Sequence, residues 1–191
     1  MTTLKNQIDR LNWTSIATDL DSEGYALLPG LLSAAQIDAL SSQVSDQLSS
    51  QVNERPLRSM SLARREPGHG QLFFFDNNLP EVLAVLRTQL YHHLAPIANR
   101  WNSILQLGYR YPDTLDRFLQ ANRDAGQNRE LSHLHRLQES DYIALHQRND
   151  GQLVFPLQAV LLLSEPGQNF RGGELVMTEH RPRMHSRPIV L

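Results

Sequence analysis

The spacing of apolar residues predicts helices over the first two thirds of the chain. Leu4, Ile8 and Ile16 recur on one face, which predicts a helix over residues 4–20 that Gly24 ends. The same period predicts three later helices. The first runs from a cap at Ser33 to Leu48, and the last runs from Asp113 to Ala125 before Gly126. The helix between them follows a cap at Asn78, has Pro80 near its first turn, and must kink or end at Pro96. Residues 1–130 are therefore predicted to be mainly helical.

A period of two and β-branched residues predict strands after residue 130. The candidate strands there are residues 131–137, 142–147, 153–163, 174–178 and 188–191. Earlier candidates are residues 25–28, 59–63 and 72–75, the last two separated by a turn-rich stretch at residues 67–70. The whole pattern predicts an α+β fold in a single domain, residues 1–191, with a β-rich half at residues 131–191.

Composition narrows the class of protein. The chain has 191 residues, of which 40% are hydrophobic, and it contains no cysteine, which excludes disulfides, thiolate metal sites and a cysteine nucleophile. The N-terminus lacks the apolar segment of a signal peptide, and the longest nearly apolar stretch, residues 153–163, is shorter than the ~20 residues that span a bilayer. A cytoplasmic protein without membrane contact is therefore expected. The net charge of −2 gives no general attraction to nucleic acid.

Four motifs carry a resemblance to a known family. They are Asp141-Tyr-Ile-Ala-Leu-His-Gln147, Leu153-Val-Phe-Pro-Leu-Gln158, Gly172-Gly-Glu-Leu175 and Arg181-Pro-Arg183. With the N-terminal stretch GYALLPGLL, they resemble a bacterial family of 2-oxoglutarate/Fe(II)-dependent oxygenases, in the prolyl-hydroxylase-like superfamily, that is proposed to demethylate alkylated DNA. The resemblance covers the whole chain, but only the first part of a full-length member. It implies N-terminal helices packed on a partial double-stranded β-helix (jelly roll), with Fe(II) and 2-oxoglutarate as cofactors.

The resemblance also implies the candidate site residues. Such enzymes hold iron with two histidines and one carboxylate, the first two ligands written H-x-D. His146 matches the first ligand, and Arg148 stands where the carboxylate is expected. Asp150 is a candidate substitute for that carboxylate, and Tyr142 is a candidate for contact with the co-substrate. The distal histidine and the 2-oxoglutarate-binding arginine are expected past Leu191, as in a C-terminally truncated member.

Other departures from the family's motifs, and two further histidines, leave alternatives open for the co-substrate and metal sites. Leu137 stands where related sequences carry a tyrosine that touches the co-substrate, and residues 138–140 replace a turn rich in glycine and proline. His180 and His185 lie downstream and could join Asp150 in an improvised metal site.

Two patterns have both a binding and a structural interpretation. His133 and His135 alternate along a strand, so they share one face and either chelate a metal or form a polar strand face. A run of basic residues precedes residues 73–75, which are all phenylalanine. Either these residues together bind single-stranded nucleic acid, or the basic residues form a solvated strand edge and the phenylalanines belong to the core. The run consists of Arg55, Arg58, Arg64 and Arg65.

The function implied by the resemblance is oxidative demethylation or hydroxylation. The candidate substrate is alkylated DNA, whose target base would be unstacked to react, or another small or macromolecular substrate. The alternative is a catalytically inactive relative or truncated product that acts as a binding or interaction module. Missing strands would leave sheet edges unpaired and residues 160–163 poorly covered, so either marginal stability is expected, or a partner or self-association that covers the edge.

Overall fold

The structure is a computed structural model that describes residues 4–49, 57–61, 68–75, 79–128, 131–146, 153–178 and 186–189. The helices in these ranges are α1 (Leu4–Asp9), α2 (Trp13–Glu23), α3 (Ala34–Ser49), α4 (Glu81–Ile104) and α5 (Leu115–Asp124). The strands are β1 (Arg58–Ser61), β2 (Gly68–His69), β3 (Gln71–Phe74), β4 (His133–Arg136), β5 (Tyr142–Ile143), β6 (Leu175–Thr178) and β7 (Ser186–Ile189). Helices and antiparallel sheets together confirm the α+β class.

The chain divides into two compact units. Unit 1 comprises Met1–Gln43, Leu79–Arg129 and Asp150–Val160. Unit 2 comprises Val44–Asn78, Glu130–Asn149 and Leu161–Leu191. Unit 1 contains α1, α2, α4 and α5, and unit 2 contains the seven strands. In the described ranges, no helix has an apolar stretch long enough to cross a membrane.

The first predicted helix is divided into α1 and α2. Asn12 caps α2, because its side chain accepts a hydrogen bond from the backbone N–H of Ser15 at 3.1 Å. A side chain that bonds its own backbone in this way competes with a continuous helix. The predicted stop at Gly24 is confirmed, since this residue closes α2 with φ of +79°.

The predicted starts of α3 and α5 are confirmed to within two residues. Ser33 and Gln36 form a capping box, in which the Ser33 N–H donates to Gln36 Oε1 at 2.9 Å and the Gln36 N–H donates to Ser33 Oγ at 3.3 Å. Thr114 caps α5 by accepting from the N–H of Arg117, and Gly126 follows the helix with φ of +90°.

Helix α4 continues through Pro96 to Ile104, so the alternative that this proline ends the helix is wrong. Proline leaves the carbonyl four residues earlier, that of His92, without its helical donor. Both residues are exposed, so water can replace that donor. The predicted Asn78 cap lies outside the described residues, and Pro80 occupies the N-cap position.

Among the described residues, three apolar clusters built along α4 form the core of unit 1. The first joins α4 to α5 and the segment before it and consists of Tyr91, Ala95, Ala98, Tyr111, Leu115 and Phe118. The second joins α4 to α1 and consists of Ile8, Leu86 and Leu90. The third joins α4 to α2 and consists of Ile16, Leu20 and Ile97.

Two segments that were predicted to be strands pack against these clusters but do not form strands. Residues 25–28 and 153–163 have no strand structure. Leu153 and Phe155 nevertheless pack on the first cluster, and Leu157 packs on the third. Leu153, Phe155 and Leu157 therefore alternate as an inward face although the segment is not a strand. The strand prediction was wrong because neither segment pairs with another strand in the described ranges.

In the described ranges, unit 2 contains three antiparallel sheets. The largest has the order β1-β3-β4, and the others pair β2 with β5 and β6 with β7. Strands β3, β4 and β6 lie within or one residue beyond their predicted ranges, whereas β5 covers only two residues of the predicted 142–147 and β7 begins two residues early. The predicted turn at residues 67–70 contains β2, because Gly68 and His69 pair with β5.

Candidate functional site

A tight packing contact holds the turn between β4 and β5 against the β2–β3 connection. Gly70 has φ of +140°, and a Cβ atom at this position would lie 2.7 Å from Leu137 Cδ2 and 3.3 Å from the Arg136 carbonyl oxygen. Any other residue would be strained by this positive φ and would displace the exposed Leu137 side chain. Gly70 thus allows the β2–β3 connection to lie close to the turn between β4 and β5.

Asp141 organises that turn. One carboxylate oxygen bonds His69 Nδ1, and the other accepts the backbone N–H of Gln138 at 2.8 Å. The side chain of Asp141 is 11% exposed, whereas that of His69 is 76% exposed. The Gln138 N–H and, second, the His69 imidazole hold the pKa of the Asp141 carboxyl below its ordinary value.

The contact between His69 and Asp141 was not predicted from the sequence. The two residues lie 72 positions apart, and no local pattern connects them. A glycine on each side of His69 was the only local signal, and it indicated a turn.

Tyr142, the candidate co-substrate contact, lies on β5 directly opposite His69 in register. Its side chain is 58% exposed. The described residues therefore leave the ring accessible to a ligand, and its role with the co-substrate stays a prediction.

His146 is exposed and lies three residues after β5. Its Nδ1 lies 2.9 Å from the Ala144 carbonyl oxygen. Because a carbonyl only accepts, Nδ1 carries the hydrogen in this contact, and Nε2 is the nitrogen through which the neutral ring would bind a metal. Metal-binding histidines are commonly oriented by such a second hydrogen bond.

The other candidate ligands all lie outside the described residues, so their positions relative to His146 stay a prediction. Asp150, His180 and His185 lie outside the described residues, as does Arg148. Among the residues that are described, no three His, Cys, Asp or Glu side chains could together hold a metal ion. These residues supply one candidate iron ligand and do not by themselves fit the three-ligand iron site.

The two strand histidines share a face, as predicted. The rings of His133 and His135 lie 4.8 Å apart on β4, and His133 also lies 5.8 Å from the ring of Phe74. Phe74 and Phe75 are buried, which confirms the core interpretation of these phenylalanines. Of the predicted basic run, only Arg58 is described, and its guanidinium carbon lies 4.0 Å from the Phe74 ring centroid.

Residues 70–191 match the Oxygenase-NA family, which is described as an oxygenase catalysing oxidative methylation of damaged DNA. The chain belongs to this family. The match begins at Gly70, so it contains the turn at residues 137–141, β5 and His146. The predicted resemblance to an oxygenase family linked to DNA damage is confirmed at this level.

The Oxygenase-NA chain is also similar to two uncharacterised proteins of Mycobacterium tuberculosis, from strain CDC 1551 / Oshkosh and strain ATCC 25618 / H37Rv. Each is 41% identical over 109 residues, which cover 57% of this chain and 47% of the relative. The chain thus spans about half the length of the curated relatives it matches. No solved structure matches it.

Proposed function

We propose that this Oxygenase-NA protein takes part in 2-oxoglutarate/Fe(II)-dependent oxidative demethylation of alkylated DNA in the cytoplasm. The family match over residues 70–191 carries the proposal, because the family is described as acting on damaged DNA. The orientation of His146 by the Ala144 carbonyl supports it. The proposed fold is a double-stranded β-helix that includes β4 and β5.

Removal of a methyl group, rather than its addition, follows from the chemistry of an oxygenase. Iron and 2-oxoglutarate, if bound, would supply the oxidation that places one oxygen atom of O₂ in a methyl C–H bond of the base. A hydroxymethyl group on a base nitrogen then loses its O–H proton as the C–N bond breaks. Formaldehyde leaves, and the nitrogen recovers a proton. The carbon is thus oxidised and lost from the base.

The proposal assigns specific roles to residues of this chain. His146 would bind iron through Nε2, and Tyr142 would contact 2-oxoglutarate with its exposed side chain. When bound, iron and 2-oxoglutarate supply the oxidising chemistry. The carboxylate ligand would come from outside the described residues, and Asp150 is the candidate.

Arg148 favours a second candidate function. In the sequence, Arg148 stands where the H-x-D motif has its carboxylate, and a guanidinium in place of that ligand would repel Fe²⁺ strongly where water is scarce. The second candidate is therefore a non-catalytic member of the family that binds a partner or DNA without iron turnover.

An anaerobic titration with Fe(II) and 2-oxoglutarate tests these candidates. The oxygenase proposal expects a saturable visible charge-transfer band that His146→Ala abolishes. His92→Ala is the matched control, because His92 is an exposed histidine on α4, and this variant should keep the band. Absence of the band in protein that is folded by circular dichroism would reject the oxygenase proposal and favour the non-catalytic candidate.

A further inference from the structure

The contact between His69 and Asp141 holds an imidazole at the surface of unit 2. One carboxylate oxygen of Asp141 bonds Nδ1 of His69, and the other accepts the backbone N–H of Gln138 at 2.8 Å. The Asp141 side chain is mostly buried, whereas that of His69 is exposed. The carboxylate is therefore fixed and largely shielded from water, and the imidazole that it orients is open to solvent.

The carboxylate decides which nitrogen of His69 carries the hydrogen. Hydrogen bonds from the Gln138 N–H and from the His69 ring lower the pKa of the Asp141 carboxyl, so this group is ionised near neutral pH. An ionised carboxylate only accepts hydrogen bonds, so Nδ1 of His69 donates to it. In the neutral ring, Nε2 then keeps its lone pair. Within the described part of the chain, Nε2 has no hydrogen-bond partner.

Two glycines keep this lone pair accessible. Gly68 and Gly70 lie on either side of His69 in the chain, so neither neighbour has a side chain that could cover the ring. Gly70 also lets the β2–β3 connection lie close to the turn that contains Asp141. The ring is thus oriented at Nδ1 by the fold and accessible to a ligand at Nε2.

Tyr142 connects this imidazole to the proposed function. It lies directly opposite His69 in the antiparallel pairing of β2 with β5, and its side chain is exposed. Side chains of directly opposed residues lie on the same face of a sheet, with Cβ atoms about 4.5–5.5 Å apart. The proposed function places 2-oxoglutarate against Tyr142, and the methyl group that is oxidised must lie beside this co-substrate. His69 would therefore lie beside the hydroxymethyl group that the oxidation produces.

The second half of the demethylation needs a group with these properties. The hydroxymethyl group on the base nitrogen must lose its O–H proton as the C–N bond breaks, and the nitrogen must gain a proton. A neutral imidazole can take the first proton at Nε2 and give it back from the same atom. The Asp141 carboxylate stabilises the positive charge that the ring carries between these two transfers.

We propose that His69 is the acid–base catalyst of formaldehyde release and that Asp141 is its positioning residue. This inference rests on the proposed function, which supplies an N-hydroxymethyl base as the substrate. The O–H bond breaks as Nε2 takes the proton, the C=O bond of formaldehyde forms, and the electrons of the C–N bond stay on the base nitrogen. Nε2 then gives its proton to this nitrogen, so the ring returns to its neutral form and no oxidant is consumed.

Formaldehyde release from a pre-formed adduct tests this role without iron. Metal-free protein in EDTA at pH 8.0, where neutral imidazole predominates, would be mixed with a single-stranded oligonucleotide that carries one N6-hydroxymethyladenine. The parent protein should release formaldehyde faster than buffer alone does. His69→Gln and Asp141→Asn should each lower the protein-dependent rate at least about tenfold, because positioned acid–base groups contribute ~10²–10⁴-fold.

His92→Gln is the matched control. His92 is an exposed histidine on α4, and no carboxylate bonds its ring in the described part of the chain. This variant should keep the rate of the parent protein. An equal loss in His92→Gln and His69→Gln would show that surface imidazoles act only as a general buffer, and it would overturn the proposal. A parent protein that releases formaldehyde no faster than buffer would also overturn it.

Two further readouts separate proton transfer from a structural role. Free imidazole should restore part of the rate of His69→Ala, which a structural loss would not allow, and failure of this rescue rejects His69 as the catalyst. Nitrogen-15 resonances of the His69 ring should show the hydrogen on Nδ1 in the parent protein and should shift in Asp141→Asn. A hydrogen on Nε2 in the neutral ring of the parent protein would reject Asp141 as the positioning residue.

This test is independent of the iron titration, because the adduct is already oxidised and the protein is metal-free. Accelerated release without a charge-transfer band in the Fe(II) titration rejects the iron site and keeps the role of His69. A charge-transfer band without accelerated release rejects the role of His69 alone.

Discussion

Tyr109 and Tyr111 belong to the same aromatic cluster of unit 1, but their hydroxyl groups have different partners. The Tyr111 hydroxyl donates to the Val154 carbonyl oxygen at 2.6 Å and ties residues 153–157 to the cluster. The Tyr109 hydroxyl is buried without a hydrogen-bond partner in the described part of the chain. Burial raises the pKa of both hydroxyls. The sequence shows two equivalent tyrosines, so this difference could not be predicted from it.

Phenylalanine substitutions at these two positions should differ in their effect on stability. Tyr111→Phe leaves the Val154 carbonyl without its donor and should lower the free energy of unfolding by about 1 kcal/mol. Tyr109→Phe removes a buried polar atom without a partner and should leave that free energy unchanged or raise it. Urea unfolding of both variants measures this. An equal loss in the two variants would contradict the assignment.

The Asp141 carboxylate should make stability depend on pH in the acid range. Hydrogen bonds from Gln138 and His69 lower its pKa in the folded protein. A carboxyl with a lowered pKa contributes its stabilisation above its unfolded pKa, near 4, and loses it as the pH falls through the folded value. Asp141→Asn should therefore be less stable than the parent protein at pH 7, and the difference should close below pH ~4.

Denaturant unfolding at pH 7, 4 and 3 measures that difference. Asp38→Asn serves as the control, because Asp38 is exposed on α3. A difference between Asp141→Asn and the parent that stays constant over this pH range would show that the carboxylate charge does not matter.

At the scale of elements, helix periodicity was the most dependable signal, and its failures have local causes. Asn12 divides the first helix because its side chain bonds the backbone of α2. Pro96 fails to end α4 because Ala95, Ile97 and Ala98 beside it are buried in the core. The predicted strand over residues 153–163 did not form, since its alternating side chains found helices to pack on rather than a neighbouring strand.

Replacing Pro96 should show by how much this residue destabilises α4. Pro96→Ala restores a donor for the His92 carbonyl, and we expect it to raise the free energy of unfolding by up to about 3 kcal/mol. His92→Ala, on the same exposed stretch, should change it by less than about 0.5 kcal/mol. Thermal and urea unfolding provide the measurement. A loss of stability in Pro96→Ala would mean that the core depends on a local distortion at this proline.

At the scale of the whole molecule, unit 2 leaves apolar side chains in contact with solvent. They include Leu161, Leu162, Val176 and Met177. Sheet β6–β7 has two strands in the described part of the chain, so each strand has an edge that no described strand covers. Exposed apolar residues beside open edges promote pairing with another chain. The self-association expected from the sequence therefore remains a prediction with structural support.

Sedimentation velocity over a hundredfold range of concentration tests self-association through unit 2. The parent protein should change from monomer to dimer or larger species as its concentration rises, and Val176→Ser should shift that change to higher concentration. Leu105→Ser is the control, because Leu105 is also exposed but lies in unit 1. A parent protein that stays monomeric throughout, or an equal effect of both substitutions, would contradict this prediction.

Several features were determined by the sequence alone. The α+β class, the capping box at Ser33, the end of α2 at Gly24 and the shared face of His133 and His135 depend on neighbours within about four positions. The family could be anticipated from His146 and the motifs around it, because those motifs are also local.

Only the tertiary structure decided which distant groups meet. It paired His69 with Asp141, aligned Arg58 with Phe74 and His133, and gave Tyr111 a partner that Tyr109 lacks. It also decided that an alternating segment after residue 153 packs on helices instead of joining a sheet. The physical reason is that side-chain period encodes which face is buried, whereas hydrogen-bond partners and neighbouring charges are set by how the rest of the chain packs.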